Sequence, residues 1–186
     1  LRRYAYDPNG NLSQQQEDAT TTTYAYDVEN RLIQLDSSTA RQQYAYDGQG
    51  RRVSVTDGGV TTTTLYDGLL PLLERQGGAT TARHLWGLSY GGGIGGLLAR
   101  TTTAGTLYPL YDGSGNILAW TDQTGAVVSA TTSTAFGEVI AQEGPVQPFG
   151  FSTKPFSAAT GLSYFGARYY RADLGRWMTP DPLGMV

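Results

Sequence analysis

Apolar and polar positions alternate along most of this chain in short runs separated by polar turns. Tyr4-Ala5-Tyr6, Tyr24-Ala25-Tyr26 and Tyr44-Ala45-Tyr46 each set two tyrosines two residues apart. The segments that follow carry Leu12, then Leu32 and Leu35, then Val53 and Val55. A period of two marks a strand with one buried face. Between the runs lie Asp7-Pro8-Asn9-Gly10-Asn11, Asp27-Val28-Glu29-Asn30-Arg31 and Asp47-Gly48-Gln49-Gly50-Arg51. An aspartate can accept hydrogen bonds from backbone amides a few residues on, and the Gly or Asn three residues later tolerates a positive φ. The predicted unit is an antiparallel hairpin closed by an aspartate turn.

The unit repeats. Tyr-Ala-Tyr-Asp begins at Tyr4, Tyr24 and Tyr44, and Thr64-Leu65-Tyr66-Asp67 keeps the same twenty-residue step. A fixed period means stacked supersecondary units, none of which can bury its apolar face alone. Tyr6, Asp7, Tyr26, Asp27, Tyr46, Asp47, Tyr66 and Asp67 therefore read as structural, as do Tyr111 and Asp112 further on. The tyrosines are expected to stack on their counterparts in the next unit, and each Asp to close its turn. A calcium-loop reading of residues 7–11 is weak, because the other copies lack the extra carboxylates and no bidentate Glu follows at the required spacing.

After Asp67 the period loosens while the grammar persists. Residues 85–99 read as a strand, a glycine turn and a second strand; residues 110–117 are another Tyr-Asp turn; residues 120–128 form a hairpin; Phe136-Gly137-Glu138-Val139-Ile140 closes the section. Gly144-Pro145 and Pro148 break the sheet, which predicts a repeat segment over 1–143 and a different segment over 144–186. The latter crowds Phe149, Phe151, Phe156, Tyr164, Phe165, Tyr169, Tyr170 and Trp177 among Pro and Gly, and reads as a compact, partly irregular plug. Arg168 lies between aromatics, where a guanidinium can stack and clamp a carboxylate.

Composition agrees with an all-β protein: 25 Gly and 13 Tyr, many Thr, and 16% charged residues in 186. The formal net charge of -3 and the spread of the arginines exclude a basic nucleic-acid surface. No cysteine is present, so packing and not disulfides must hold the fold. The most apolar stretch is too short and too rich in Gly to cross a bilayer as a helix. No cofactor is expected, and metal sites lack both Cys and a second His beside His84. His84 next to Leu85 and Trp86 reads as a partly buried strand residue. No Gly-x-Ser-x-Gly elbow or phosphate-binding loop supports an enzyme acting on an external substrate. Because the chain opens with a repeat already under way, it is expected to be a piece of something longer.

The Tyr-Asp repeats, residues 110–128, Phe136-Gly137-Glu138, and the run from Thr160-Gly161-Leu162 through Tyr164-Phe165-Gly166-Ala167-Arg168-Tyr169-Tyr170 to Asp181-Pro182-Leu183-Gly184 resemble the Rhs/YD-repeat proteins of bacteria. In particular they resemble the C-terminal end of the Rhs core, the Rhs-associated core domain; teneurins and the Tc-toxin C component share the repeats. The resemblance implies a β-sheet strip that spirals into a hollow shell, with the end of the core turned inward as a seal. It implies a secreted or cell-surface protein that encloses and releases its own C-terminal toxin. The partners would be that toxin, absent from this sequence, the upstream Rhs repeats, and a secretion-system spike or neighbouring copies.

The resemblance also implies aspartyl self-cleavage just after the Asp-Pro-x-Gly-hydrophobic motif, here after Met185. Such chemistry needs two carboxylates sharing one proton. Asp181 matches the family's second acid, but the position of the first is Ser157, which cannot share a proton in a dyad. Either cleavage is lost, or Asp173, Glu138 or Glu143 stands in, or the alignment slips by a few residues; Asp173 reads first as a turn former. Two other functions stay open: an adhesion module docking sugars on tyrosine rows, and a structural protein that self-assembles through its open edges.

Overall fold

The computed structural model describes residues 1–88 and 93–184. Its strands follow one another as β1 (Arg2–Tyr6), β2 (Leu12–Glu17), β3 (Thr20–Tyr26), β4 (Leu32–Asp36), β5 (Arg41–Tyr46), β6 (Arg52–Asp57) and β7 (Val60–Asp67). They continue as β8 (Leu70–Gln76), β9 (Ala79–Trp86), β10 (Leu97–Thr102), β11 (Gly105–Tyr111), β12 (Ile117–Thr121), β13 (Val127–Ser133) and β14 (Val139–Glu143). All fourteen form one antiparallel sheet in strict chain order, with β1 and β14 at its open edges. Short turns join antiparallel neighbours and nothing else, so tight punctuation forces a meander. A second sheet of four short strands follows: β15 (Phe156–Ser157), β16 (Leu162–Tyr164), β17 (Tyr169–Arg171) and β18 (Arg176–Trp177). Four of the residues predicted as a glycine turn, 89–92, and Met185 lie outside the described residues.

Each aspartate turn is a small cage. Asp27 Oδ1 accepts from the amides of Glu29 (3.0 Å) and Arg31 (2.9 Å), and Oδ2 accepts from Arg31 Nε at 2.7 Å. Asp7, Asp47 and Asp112 repeat the pattern, with Asn11 and Asn116 supplying a side-chain amide where Arg31 and Arg51 supply a guanidinium. Burial pushes the Asp27 carboxyl up, but these bonds outweigh it and hold it below the usual range. Thr134 takes the aspartate's place before β14, accepting from the Glu138 amide at 3.2 Å.

Asp67 does not close such a turn. It ends β7, paired with Leu70 across the two-residue Gly68-Leu69 connection. The residue four positions on is Pro71, which has no N–H for the carboxylate to accept from, and Gly68 at φ 54 supplies the bend.

A bulge beside each aspartate turn sets which side chains face inward. Tyr26 opposes Leu32 while Ala25 opposes Gln34, so one extra residue sits in the return strand. Tyr6, Tyr46 and Tyr111 show the same shift. Leu32 and Leu35, three apart, are consequently both buried at 2% exposure. Strict alternation would have turned one of them to solvent.

Successive units are joined by tyrosine hydroxyls and not by ring stacking. Tyr26 donates to Leu12 O (2.8 Å), Tyr46 to Leu32 O (2.7 Å), Tyr66 to Arg52 O (2.8 Å) and Tyr111 to Leu97 O (2.6 Å). Trp86, twenty residues after Tyr66, makes the equivalent bond through Nε1 to Pro71 O at 2.7 Å. The period therefore persists through β9 with Trp86-Gly87 in place of Tyr-Asp. Cations cover the same rings: Arg31 lies 5.0 Å from the Tyr46 ring centre and Arg51 lies 5.4 Å from that of Tyr66. Among the described residues no ring pair links equivalent tyrosines, because each hydroxyl is drawn to a carbonyl of the preceding hairpin.

The sheet ends at Gly144. Its φ is +67, and a Cβ there would lie 2.2 Å from Val128 O, so no other residue fits without moving the strand.

Candidate functional site

The second sheet lies on the tyrosine-bearing face of the first, and the two share one core. Leu162, Tyr164, Tyr169 and Met178 are buried together with Leu12, Tyr24, Leu32, Leu35, Ala40 and Tyr44. A smaller cluster packs Phe149 against Leu97, Ile117 and Trp120. Main-chain bonds rivet the contact: Leu12 N donates to Met178 O at 2.9 Å, and Ile117 N to Gly150 O at 3.2 Å.

Polar anchors lie inside this interface. Arg52 occupies the slot held by Leu12 and Leu32 in the preceding units, and its guanidinium is enclosed by tyrosines. The guanidinium carbon is 4.5 Å from the Tyr164 ring centre, 5.7 Å from that of Tyr169 and 5.9 Å from that of Tyr44. Nη1 donates to the Tyr169 hydroxyl at 2.9 Å, and the Arg52 amide donates to Tyr164 Oη at 2.9 Å. Nε is buried without a partner. Burial pushes the hydroxyls of Tyr44 and Tyr164 up, so both are protonated at neutral pH.

Arg171, 8% exposed, is the second anchor. It donates to Gln15 Oε1 and to the Tyr24 hydroxyl (3.2 Å) on the wall, and it clamps Asp173 at 2.6 Å and 3.0 Å. Thr153 is the third. Its Oγ1 accepts from Gly95 N at 2.7 Å and donates to Gly115 O at 2.8 Å, tying the plug's entrance to two wall turns. Ser152 and Thr153 both hold positive φ, 51 and 55, a strained pair that the surrounding bonds must enforce.

The residues singled out by sequence for self-cleavage lie in separate places. Asp181 is half exposed and receives Arg168 Nη2 at 2.8 Å, while that guanidinium lies 4.4 Å from the Trp177 ring centre. Ser157 Oγ sits 3.1 Å from Gln42 Nε2, which also donates to Asp57 Oδ2 at 2.7 Å. Pro180, beside Asp181, lies against Gly10 in the first aspartate turn, whereas Gln42 and Asp57 lie at the opposite end of the strands. The structure does not bring Ser157 and Asp181 together. Asp173 sits in a single 3-10 turn, Ala172–Leu174, with its carboxylate on Arg171 and Arg2. Glu138 precedes β14 and Glu143 is its last residue, with no link to Asp181 among the described contacts.

Arg52, Gln42, Asp57, Arg171 and Thr153 escaped sequence reading as interface residues. Only Arg52 left a signal: it is an arginine at a position where the twenty-residue step otherwise supplies leucine.

A sheet of hairpins latched by Tyr-Asp pairs, with an aromatic plug on the latched face, defines a YD-shell wall. The teneurin YD-shell family model matches residues 79–185, more than half of the chain, and the RHS-repeat model matches residues 6–41. The chain belongs to this Rhs/YD-repeat family. No curated protein matches significantly in sequence. Among solved structures, TcdB2-TccC3 without its hypervariable C-terminal region superposes with a TM-score of 0.65 at 19% identity over 98% of this chain. A Tc holotoxin pore of Photorhabdus luminescens with mutated TccC3 gives 0.64 at 20% over 98%, and TcdB2-TccC3-Cdc42 gives 0.61 at 21% over 97%. The chain spans 12% of the length of each of those chains, and the likeness concerns the fold.

Proposed function

We propose that this chain is the wall-and-plug segment of a larger toxin shell, secreted or displayed outside the cell, which encloses and releases a C-terminal toxin. The observation that carries the reading is the shared core of wall and plug, in which Leu12, Leu32 and Tyr44 pack with Leu162, Tyr164 and Tyr169. A strip whose own end is folded onto one face is polarised: that face is dry and anchored, and both sheet edges remain open for upstream repeats or neighbouring copies. Residues beyond the plug would start from that anchored face and so be delivered to the lumen. A secretion-system spike is a further expected partner.

Self-cleavage after Met185 is absent in this reading. Asp181 is paired with Arg168, and the other acid position holds Ser157 bonded to Gln42. Neither arrangement provides a carboxylate pair that shares a proton.

Limited proteolysis of the full-length gene product tests containment. A protected fragment beyond residue 186 is expected; uniform digestion would favour an adhesion module. Intact-mass measurement of a chain extended past Val186 tests cleavage. One uncut species is expected, whereas cutting that is abolished by Asp181→Asn would restore the protease.

A further inference from the structure

We infer that β14, the last strand of the wall, accepts β1 of a second copy of this chain, so that copies join head to tail. This rests on the proposed function only in taking both sheet edges as open, and it assigns the β14 edge to a neighbouring copy. The last hairpin follows the grammar of the earlier ones and stops one strand short. Thr134 closes its turn as Asp27 does, and the register then shifts so that Val139 opposes Ser133 as Leu32 opposes Tyr26. Val139 therefore occupies the slot of Leu12, Leu32, Leu97 and Ile117. Those four are at most 5% exposed, whereas Val139 is 42% exposed. The carbonyls of Leu12, Leu32 and Leu97 accept tyrosine hydroxyls from the strand beyond, and Val139 has no strand beyond it. After Glu143 the chain turns in at Gly144 against Val128 and Ser129 of β13, which leaves the edge uncovered.

A strand of the required kind stands at the opposite edge. β1 carries Tyr4-Ala5-Tyr6, the motif that β5 presents beside β4. Tyr6 is exposed where Tyr26 and Tyr46 are half-buried, and its hydroxyl reaches no carbonyl among the described residues. The sheet has fourteen strands, an even number, so β14 runs in the sense of β4 and β1 in that of β5. The β4–β5 register, Gln34 opposite Gln43 and Asp36 opposite Arg41, transfers to Ala141 opposite Arg3 and Glu143 opposite Leu1. Tyr6 of one copy then donates to Val139 O of the next, as Tyr46 donates to Leu32 O.

Charge favours this pairing over the pairing of like edges. β1 carries Arg2 and Arg3, while β14 ends on Glu143 and follows Glu138. In the transferred register Arg3 lies diagonally across from Glu143 on one face, within reach of long side chains. Two β14 edges would bring acids together, and two β1 edges would bring arginines together. β14 also has neither Pro nor Lys, the residues that commonly guard an exposed edge. A contact between two different edges is heterologous, so it continues from copy to copy into a ring or a filament.

Sedimentation velocity of the whole 186-residue chain over a concentration series at low salt tests this. The sedimentation coefficient is expected to rise with concentration. Glu143→Arg and Arg3→Glu should each weaken association roughly threefold or more, and the two together in one chain should restore it. Register is read by disulfide trapping, since the chain has no cysteine of its own. Copies with Arg3→Cys mixed with copies with Ala141→Cys should form a linked heterodimer on oxidation. Copies with Gln142→Cys should not, because residue 142 faces the other side of the sheet. A monomer at every concentration, association unchanged by both charge reversals, or equal trapping through residue 142 overturns the proposal. The series on the unaltered chain decides even where a variant fails to fold. A monomer would leave the enclosure reading standing, and uniform digestion of the longer gene product would leave this contact standing.

Discussion

Four tyrosine hydroxyls, those of Tyr26, Tyr46, Tyr66 and Tyr111, each reach a carbonyl fourteen residues upstream. A single such bond contributes about 1 kcal/mol net. Tyr26→Phe and Tyr111→Phe should each lower the unfolding free energy by about that amount in urea titrations, with the fold retained. Arg52 should behave oppositely. Its guanidinium is enclosed without a carboxylate partner among the described residues, so Arg52→Met, which restores the apolar column, is expected to be neutral or to stabilise by about 1–4 kcal/mol. A clear loss of stability would show that the tyrosine cage binds the cation better than an apolar side chain.

His84 gives the pH dependence. Its ring is buried against Phe149 and faces Pro71 O, Glu74 and Arg100. Burial lowers its pKa from 6.5; Glu74 opposes the shift and Arg100 reinforces it. The folded state thus binds fewer protons than the unfolded one. The stability is fully present above the unfolded value and is lost as pH falls from there through the depressed folded value. As pH falls below about 7.5 the unfolding free energy should decline, and His84→Asn should flatten that slope. Asp27 and Asp112, also depressed, act only in more acidic solution. At this scale the sequence showed the tyrosines and the turn aspartates, since both recur at a fixed step. It hid Gln42, Arg171 and Thr153, whose partners across the seam stand at no repeated spacing from them.

At the scale of hairpins, period and turn chemistry together made the strands readable, because each Asp is followed by Gly or Asn where φ must be positive. The bulges were less readable. Leu32 and Leu35 break strict alternation, and only the pairing of Tyr26 with Leu32 explains why both are buried. Asp67 shows the limit of the Tyr-Asp motif: four residues on stands Pro71, which has no amide for the carboxylate to accept from. Asp27→Ala should therefore cost about 1 kcal/mol or more, while Asp67→Ala should leave stability unchanged in the same titration. Equal effects would mean that the turn cage contributes nothing.

Over the whole molecule, plug and wall make one core, and neither has a complete core without the other. Repetition predicted the strip and aromatic density predicted the plug. Their mode of contact lay beyond both signals, because a twenty-residue period carries no information about which face receives a nonrepeating partner. Residues 144–186 made separately should lack tertiary structure by near-ultraviolet circular dichroism, and should gain it on mixing with residues 1–143. A plug that folds alone would make the shared core incidental.

Electron cryomicroscopy of the full-length gene product addresses the container directly. The 162–178 strands should lie on the inner surface of a closed β wall, against Leu12, Leu32 and Tyr44, with polypeptide density in the lumen beyond them. A plug on the outer surface, or an open strip with solvent on both faces, would contradict it.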